Sequence, residues 1–493
     1  MLQWRGFSRS SAQGRPRLLA WFGAWFALSL PAPAQAHPAR LALPPAALQA
    51  LQHAGIAADA MAVVVHDTGT ERDVLLWQEQ RALNPASLIK LLPTLAALER
   101  LGPAFTWSTP VWLGGPVKGG ILEGSVFLKG SGDPKLVIER VWLLLRRLQQ
   151  LGVREIRGDI VLDNSAFVVP EGDPADFDGE PLRPYNVRPA ALLLNYRSVT
   201  YSFTPDEAAC VARVNFDPAL AGTQVDRTVP LAIGPCADWR GALKASFEPG
   251  RTRWAGSYAL ACGEVQWLVA DPQPASYDAR LIEALWREMS GTLQGSVREG
   301  PAPVDAKPSF EHRSPPLAEV VRDINKFSNN LMAQQLFYTL ALQARRTPSV
   351  GLQDARETLM SWLIERTGER TGDLGSEVVI DNGSGLSRHT RISAQRLARL
   401  LVQAHAGPVM SELMSSLPVS GVDGTMRRSR ALPGRAHLKT GSLRDVHALA
   451  GYVLSNSGRR YVVVAIVNHA NAGAARPALE AVLQWTVRDA PRR

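Results

Sequence analysis

An α/β domain interrupted by a long β-rich insertion is the architecture that this 493-residue sequence predicts. Three observations predict it. Apolar, β-branched runs that read as strands stand near both ends of the chain, at 61–66 and 74–78 and again at 437–443, 448–454 and 461–468. Segments with apolar residues at helical spacing surround them. Between lies a stretch of short strands and Gly-rich turns, about 106–305. The chain is also too long for one hydrophobic core, which suits an added unit.

The composition is that of a globular protein, with 46% apolar and 20% charged residues. It excludes a disordered chain, a coiled coil, a collagen and a polytopic membrane protein. The first 36 residues predict a signal peptide. Arg5, Arg9, Arg15 and Arg17 form a basic start, 18–30 is an apolar run, and Ala34-Gln35-Ala36 is a small-x-small cleavage site. The formal charge of +9 falls to +5 when those four arginines are removed. No Lys/Arg cluster interleaved with aromatics follows, so nucleic acid is not an expected partner. No later segment reaches 18 apolar residues, so the mature chain is expected to be soluble or peripheral.

The elements follow in order. The strand 61–66 turns at Asp67-Thr68-Gly69-Thr70 into the strand 74–78. Asn84-Pro85-Ala86 opens a helix whose Leu88, Leu91, Leu92, Leu95 and Leu98 share a face, and Leu101-Gly102-Pro103 ends it. Pro93 is expected to kink or open that helix. Short strands are predicted at 107–113, 120–122 and 125–129, a helix at about 138–151, and a strand at 159–162. More short strands fill 200–270, a helix appears around 280–290, and a run of prolines from Pro301 to Pro316 marks a boundary. Residues 317–345 read as strongly helical, and a final helix is predicted over 474–487. Asn456-Ser457-Gly458 supplies the hairpin turn between the last two strands.

Cys210, Cys236 and Cys262 are the three cysteines. Export permits a disulfide, and an odd count allows at most one internal bridge. Cys236–Cys262 is the favoured pair, three buried thiols the alternative. The nine histidines show no metal-binding spacing, so neither metal nor other cofactor is expected.

Three short motifs carry chemistry. In Ser87-Leu88-Ile89-Lys90, residues i and i+3 share a helix face, so a lysine with a lowered pKa can take the serine proton. Ser328-Asn329-Asn330 precedes a helix; its serine can relay a proton and its Asn330 amide can hold a carbonyl. Lys439-Thr440-Gly441-Ser442 lies on the first terminal strand, where Lys439 and Gly441 point one way and Thr440 and Ser442 the other. Gly441 is expected to let a substrate backbone approach. Each motif alone has a plain structural explanation, such as a helix cap or a strand edge.

As an ordered set, SxxK, SxN and KTG resemble the penicillin-recognising serine acyltransferases. The 240 residues between Ser87 and Ser328, filled by β-rich sequence, resemble the D-alanyl-D-alanine carboxypeptidase/endopeptidase family of the penicillin-binding protein 4 type, peptidase family S13. Gly130-Ser131-Gly132-Asp133-Pro134, 158–165, Pro184-Tyr185-Asn186, 382–388 and 420–425 fit the same family, with Pro93 and Ser131 as small departures.

The resemblance implies a serine β-lactamase/transpeptidase-like catalytic domain, α/β (α+β), with an antiparallel sheet flanked by helices. It covers 37–105 and 306–493, with an inserted domain over 106–200 and 271–305 and a nested β-rich domain over 201–270. It implies Ser87 as acylated nucleophile and Lys90 as its base. Ser328 shuttles the proton, Asn330 holds the donor carbonyl and Lys439 supplies positive potential. Thr440 and Ser442 bind the terminal carboxylate, and the backbone N–H groups of Ser87 and Ser442 form the oxyanion hole. Asp163, Phe167, Arg388 and Arg444 are implied as a pocket for the free end of the peptide's diamino acid, Asp163 on its ammonium and Arg388 on its carboxylate. Peptidoglycan peptides and β-lactams are the implied partners and the periplasm the implied location. A β-lactamase or esterase on a related scaffold and a non-catalytic peptidoglycan-binding protein are the competing readings. Membrane contact and homodimer formation are left open.

Overall fold

The structure, a computed structural model, describes residues 42–303, 305–368, 377–429 and 432–489. The expected signal segment lies outside the described residues. A five-stranded antiparallel sheet organises both chain ends. Its strands run in the order Arg72–Trp77, Met61–Asp67, Arg460–Asn468, Val446–Leu454, Ala436–Leu443.

The inner strands are buried on both faces, which explains their unbroken apolar runs. Val63, Val463 and Val467 meet Ala47, Leu51, Leu479 and Leu483 from the helices Pro45–His53 and Arg476–Val487. On the other face Ala62, Val64, Val464 and Ile466 meet Leu92, Leu95, Leu397 and Leu401. Each such valine or leucine contributes about 1.5–3 kcal/mol by leaving water.

Ala436–Leu443 is an edge strand. Its first half is covered, because Ser420 N–H bonds the Ala436 carbonyl at 2.9 Å and Leu438 N–H bonds the Pro418 carbonyl at 2.8 Å. The neighbouring loop thus runs beside the strand as far as Leu438.

Two expected helices are each divided, both at the site. The first is a 3₁₀ turn, Ala86–Lys90, followed by an α-helix, Leu91–Arg100. The break in pitch precedes Pro93 instead of falling at it. Pro93 sits in the first α-helical turn, where a missing N–H costs little. The expected helical run 317–345 is two helices, Leu317–Phe327 and Asn330–Arg345, separated at Ser328, whose φ of 57° is left-handed.

Inside the insertion, Val297–Glu299, Ile160–Asp163, Val126–Lys129, Ser108–Leu113 and Phe310–Arg313 form a mixed sheet in that order. A second five-stranded sheet orders Tyr258–Ala259, Thr228–Ala232, Val211–Asp217, Ser198–Asp206 and Val265–Ala270. Val111, Leu128, Leu144, Ile160, Phe203, Val214, Tyr258 and Trp286 belong to one apolar cluster running through this region. The strand expected at 120–122 is shorter, Ile121–Leu122, because Gly119 and Gly120 are the turn. The helix expected near 280–290 is Pro274–Glu288, opened by a proline at its first position. Cys236 and Cys262 are disulfide-bonded, and Cys210 is free and exposed.

Candidate active site

The nucleophile turn is held by asparagines. Asn84 Oδ1 accepts the Ala86 N–H at 2.9 Å, and Asn84 Nδ2 donates to the Ser387 carbonyl at 2.9 Å. Asn468, at the end of a central strand, accepts the Asn84 N–H at 2.8 Å and donates to the Asn84 carbonyl at 2.9 Å. These bonds hold Ala86 at a φ of 47°, a conformation that alanine adopts only at a cost. The strained residue directly precedes Ser87 and sets the course of the turn that carries it.

In a 3₁₀ turn, side chains at i and i+3 eclipse. Lys90 Nζ accordingly lies 2.8 Å from Ser87 Oγ. It also donates to Asn330 Oδ1 at 2.6 Å and to the Ser384 carbonyl. Lys90 is wholly buried. Burial first, and the Lys439 charge second, hold its pKa well below the ordinary lysine range. The arrangement gives the serine a neighbouring amine able to take its proton. With Asn330 Oδ1 engaged by Lys90, the Asn330 Nδ2 group is the one left to face a carbonyl.

Lys439 forms the second half of the site. Its Nζ donates to Ser328 Oγ at 2.8 Å and to the Thr440 carbonyl at 2.7 Å. Burial lowers its pKa to about 7. The left-handed conformation of Ser328 ends one helix, and the Asn329 side chain caps the next by accepting the Met332 N–H at 3.0 Å. That break lets Ser328 and Asn330 address different lysines, Lys439 and Lys90.

Along the edge strand, Lys439 and Gly441 are buried, Thr440 is half-buried and Ser442 is exposed. The notch at Gly441 is filled by the protein itself, not by substrate as expected. A Cβ there would stand 2.6 Å from the Pro85 carbonyl oxygen and 3.3 Å from the Ser87 nitrogen. Glycine therefore lets the nucleophile turn press against the strand. Thr440 Oγ1 is 2.7 Å from Thr425 Oγ1, and Ser442 Oγ is 3.5 Å from His447 Nδ1.

Of the four residues expected to line one pocket, Asp163, Phe167 and Arg388 have partners within the protein. Asp163 is buried, its carboxylate accepting the Ser165 and Ala302 N–H groups at 2.9 Å each, with Lys129 at 3.9 Å. Those bonds take one acceptor position on each oxygen and fix the orientation of the carboxylate. Phe167 is buried against Tyr338, ring centroids 5.1 Å apart. Arg388 pairs with Asp445 at 2.9 Å and lies over the Phe177 ring at 4.7 Å. Arg444 is exposed on the hairpin beside Asp445. Ser131, in the insertion, donates to the Ser108 carbonyl at 2.7 Å.

Sequence reasoning missed Asn84 and Asn468, and it gave no role to Ser384 and Thr425 although both lie in stretches that fit the family. Asn84 stands three residues before Ser87, where it reads as ordinary turn chemistry. The others join the site only through the fold.

The model of the D-Ala-D-Ala carboxypeptidase 3 (S13) family matches residues 46–488. The chain belongs to that family. It is a serine-type D-Ala-D-Ala carboxypeptidase by class, a hydrolase acting on peptidoglycan. A D-alanyl-D-alanine carboxypeptidase of Actinomadura sp. (strain R39) is 30% identical over 442 residues, covering 85% of this chain and 79% of that one. The D-alanyl-D-alanine carboxypeptidase DacB of Haemophilus influenzae is 26% identical over 397 residues, covering 79% and 81%. The crystal structure of penicillin binding protein 4 from Haemophilus influenzae matches with a TM-score of 0.70 at 23% identity, covering 86% of this chain and 95% of that chain. The fold is thus that of the penicillin binding protein 4 type, a transpeptidase-like domain with a β-rich insertion. Among the described residues, no helix is long and apolar enough to cross a membrane.

Proposed function

We propose that this S13 peptidase removes the terminal D-Ala of peptidoglycan stem peptides through an acyl-enzyme on Ser87, and that it cleaves cross-bridges by the same route. The 2.8 Å approach of Lys90 Nζ to Ser87 Oγ carries this reading. Neutral Lys90 takes the Ser87 proton as Oγ attacks the penultimate D-Ala carbonyl. The Ser87 and Ser442 N–H groups receive the developing oxyanion. Asn330 Nδ2 holds the donor carbonyl. The C–N bond then breaks, and the leaving amine takes the proton that Lys90 holds, relayed through Ser328, which leaves Lys90 neutral again. Water, deprotonated by Lys90, attacks the ester; the acid is released and Ser87 regains its proton. Lys439, Thr440 and Ser442 receive the terminal carboxylate. A β-lactam presents a strained amide and a carboxylate to the same groups, so it acylates Ser87. A Haemophilus influenzae relative has been solved with a β-lactam bound. We place the protein in the periplasm, where it remodels the wall.

Mass spectrometry of products from monomeric and cross-linked muropeptides tests the reaction. Release of D-Ala from the first and conversion of the second to monomers are expected. Cleavage at any other bond overturns the assignment.

A further inference from the structure

Lys326 is a third buried lysine, two residues before Ser328, and the roles above leave it unused. Its side chain is 4% exposed, and its Nζ lies 2.6 Å from Asp423 Oδ2. A buried ammonium is tolerated only with a partner, and the bond is charge-assisted. Asp423 Oδ1 accepts the Val419 N–H at 2.8 Å, which fixes the carboxylate to its own loop. The two backbones touch at the next residue. A Cβ on Gly424, whose φ is 54°, would stand 2.4 Å from the Lys326 carbonyl oxygen. One residue further, Thr440 Oγ1 donates to Thr425 Oγ1 at 2.7 Å. The loop 418–426 is thereby fastened to the edge strand at Pro418 and Ser420, to the end of the Ser328-bearing helix at Lys326, and to Thr440 at Thr425.

A hydroxyl owns one proton and can accept as well. With Thr440 donating to Thr425, as in this structure, its one proton is engaged and none remains for a substrate. If Thr425 donates to Thr440, the Thr440 proton is free to turn outward. A carboxylate beside Thr440, being an acceptor only, favours the second arrangement. We infer that Thr425 is a further specificity-determining residue for substrates ending in a free carboxylate, and that the Lys326–Asp423 pair positions it. The inference rests on the proposed role of Thr440 and Ser442 as the carboxylate site.

The test uses the full chain and one tripeptide ending in D-Ala-D-Ala, supplied with a free carboxylate or as the terminal amide. The readout is the ratio of kcat/KM for the two. Thr425→Val is expected to raise KM for the carboxylate form about tenfold with kcat little changed, lowering the ratio about tenfold. Thr425→Ser, which keeps the hydroxyl, is expected to preserve the ratio. Asp423→Asn is expected to lower it in the same direction. An unchanged ratio in Thr425→Val, while Thr440→Val lowers it, overturns the role of Thr425. An unchanged ratio in Asp423→Asn overturns the positioning role of the pair. If Thr440→Val also leaves the ratio unchanged, the carboxylate site itself is misplaced, a failure distinct from the first two.

Discussion

Lys90 Nζ stands between two partners, 2.8 Å from Ser87 Oγ and 2.6 Å from Asn330 Oδ1, so the group that activates the nucleophile also orients the amide facing the substrate carbonyl. The second lysine is within electrostatic reach and holds a different serine. The site is a pair of lysine–serine dyads whose charges are coupled.

That coupling gives a pH dependence with a definite sign. Only neutral Lys90 accepts a proton, and its neutral fraction grows as pH rises through its pKa. Burial, then Lys439, lowers that pKa, so acylation is expected to climb on a limb well below the ordinary lysine range. Lys439→Met removes the positive neighbour and raises the Lys90 pKa, so the acid limb moves to higher pH. The pH profile of penicillin acylation rates reads this directly; an unmoved limb contradicts the coupling.

Lys439 supplies positive potential only while protonated, and burial brings its pKa to about 7. KM for a peptide with a free carboxylate is therefore expected to rise above about pH 7, while KM for the amide form stays flat. Steady-state kinetics with both forms between pH 6 and 9 checks it, and parallel curves count against Lys439 as the carboxylate's counter-charge.

The turn before Ser87 is expected to be costly to loosen. Asn84→Ala removes the acceptor of the Ala86 N–H and the donor to Ser387. Each lost bond costs about 1 kcal/mol, so urea unfolding is expected to show a loss of about 2 kcal/mol. Acylation should fall further than stability does, because Ala86 is no longer held at its positive φ. A variant that unfolds earlier yet acylates at the wild-type rate contradicts the role of Asn84.

Much of the fold was legible because its sources are local. The apolar runs at 61–65 and 461–467 read as buried strands, and they are buried on both faces. The three motifs were legible because chemistry restricts residue type and order. The helix start after Ser328-Asn329-Asn330 was legible as a cap, but the 3₁₀ turn and the left-handed Ser328 were not, since both depend on tertiary contacts. The 3₁₀ turn at Ala86–Lys90 is imposed by the Asn84 and Asn468 bonds across the fold, and the left-handed Ser328 by the demand of Lys439. The surroundings of Asp163 and Phe167 were not legible for the same reason. Residue type alone does not show that a carboxylate already accepts the Ser165 and Ala302 N–H groups.

The cysteines offer an independent check of the fold. Alkylation of the folded, unreduced protein is expected to modify Cys210 alone, and reduction with unfolding is expected to expose Cys236 and Cys262. Loss of that bridge removes a cross-link across 26 positions, worth about 3 kcal/mol in the chain-entropy account. Early labelling of Cys236 or Cys262 contradicts the pairing.

Intact-protein mass spectrometry after exposure to benzylpenicillin, followed by mapping of the adduct, tests the central claim most directly. One penicillin per chain on Ser87, absent from Ser87→Ala and strongly slowed in a folded Lys90→Met, is the expected result. No adduct on a folded protein, or an adduct on another residue, contradicts the account.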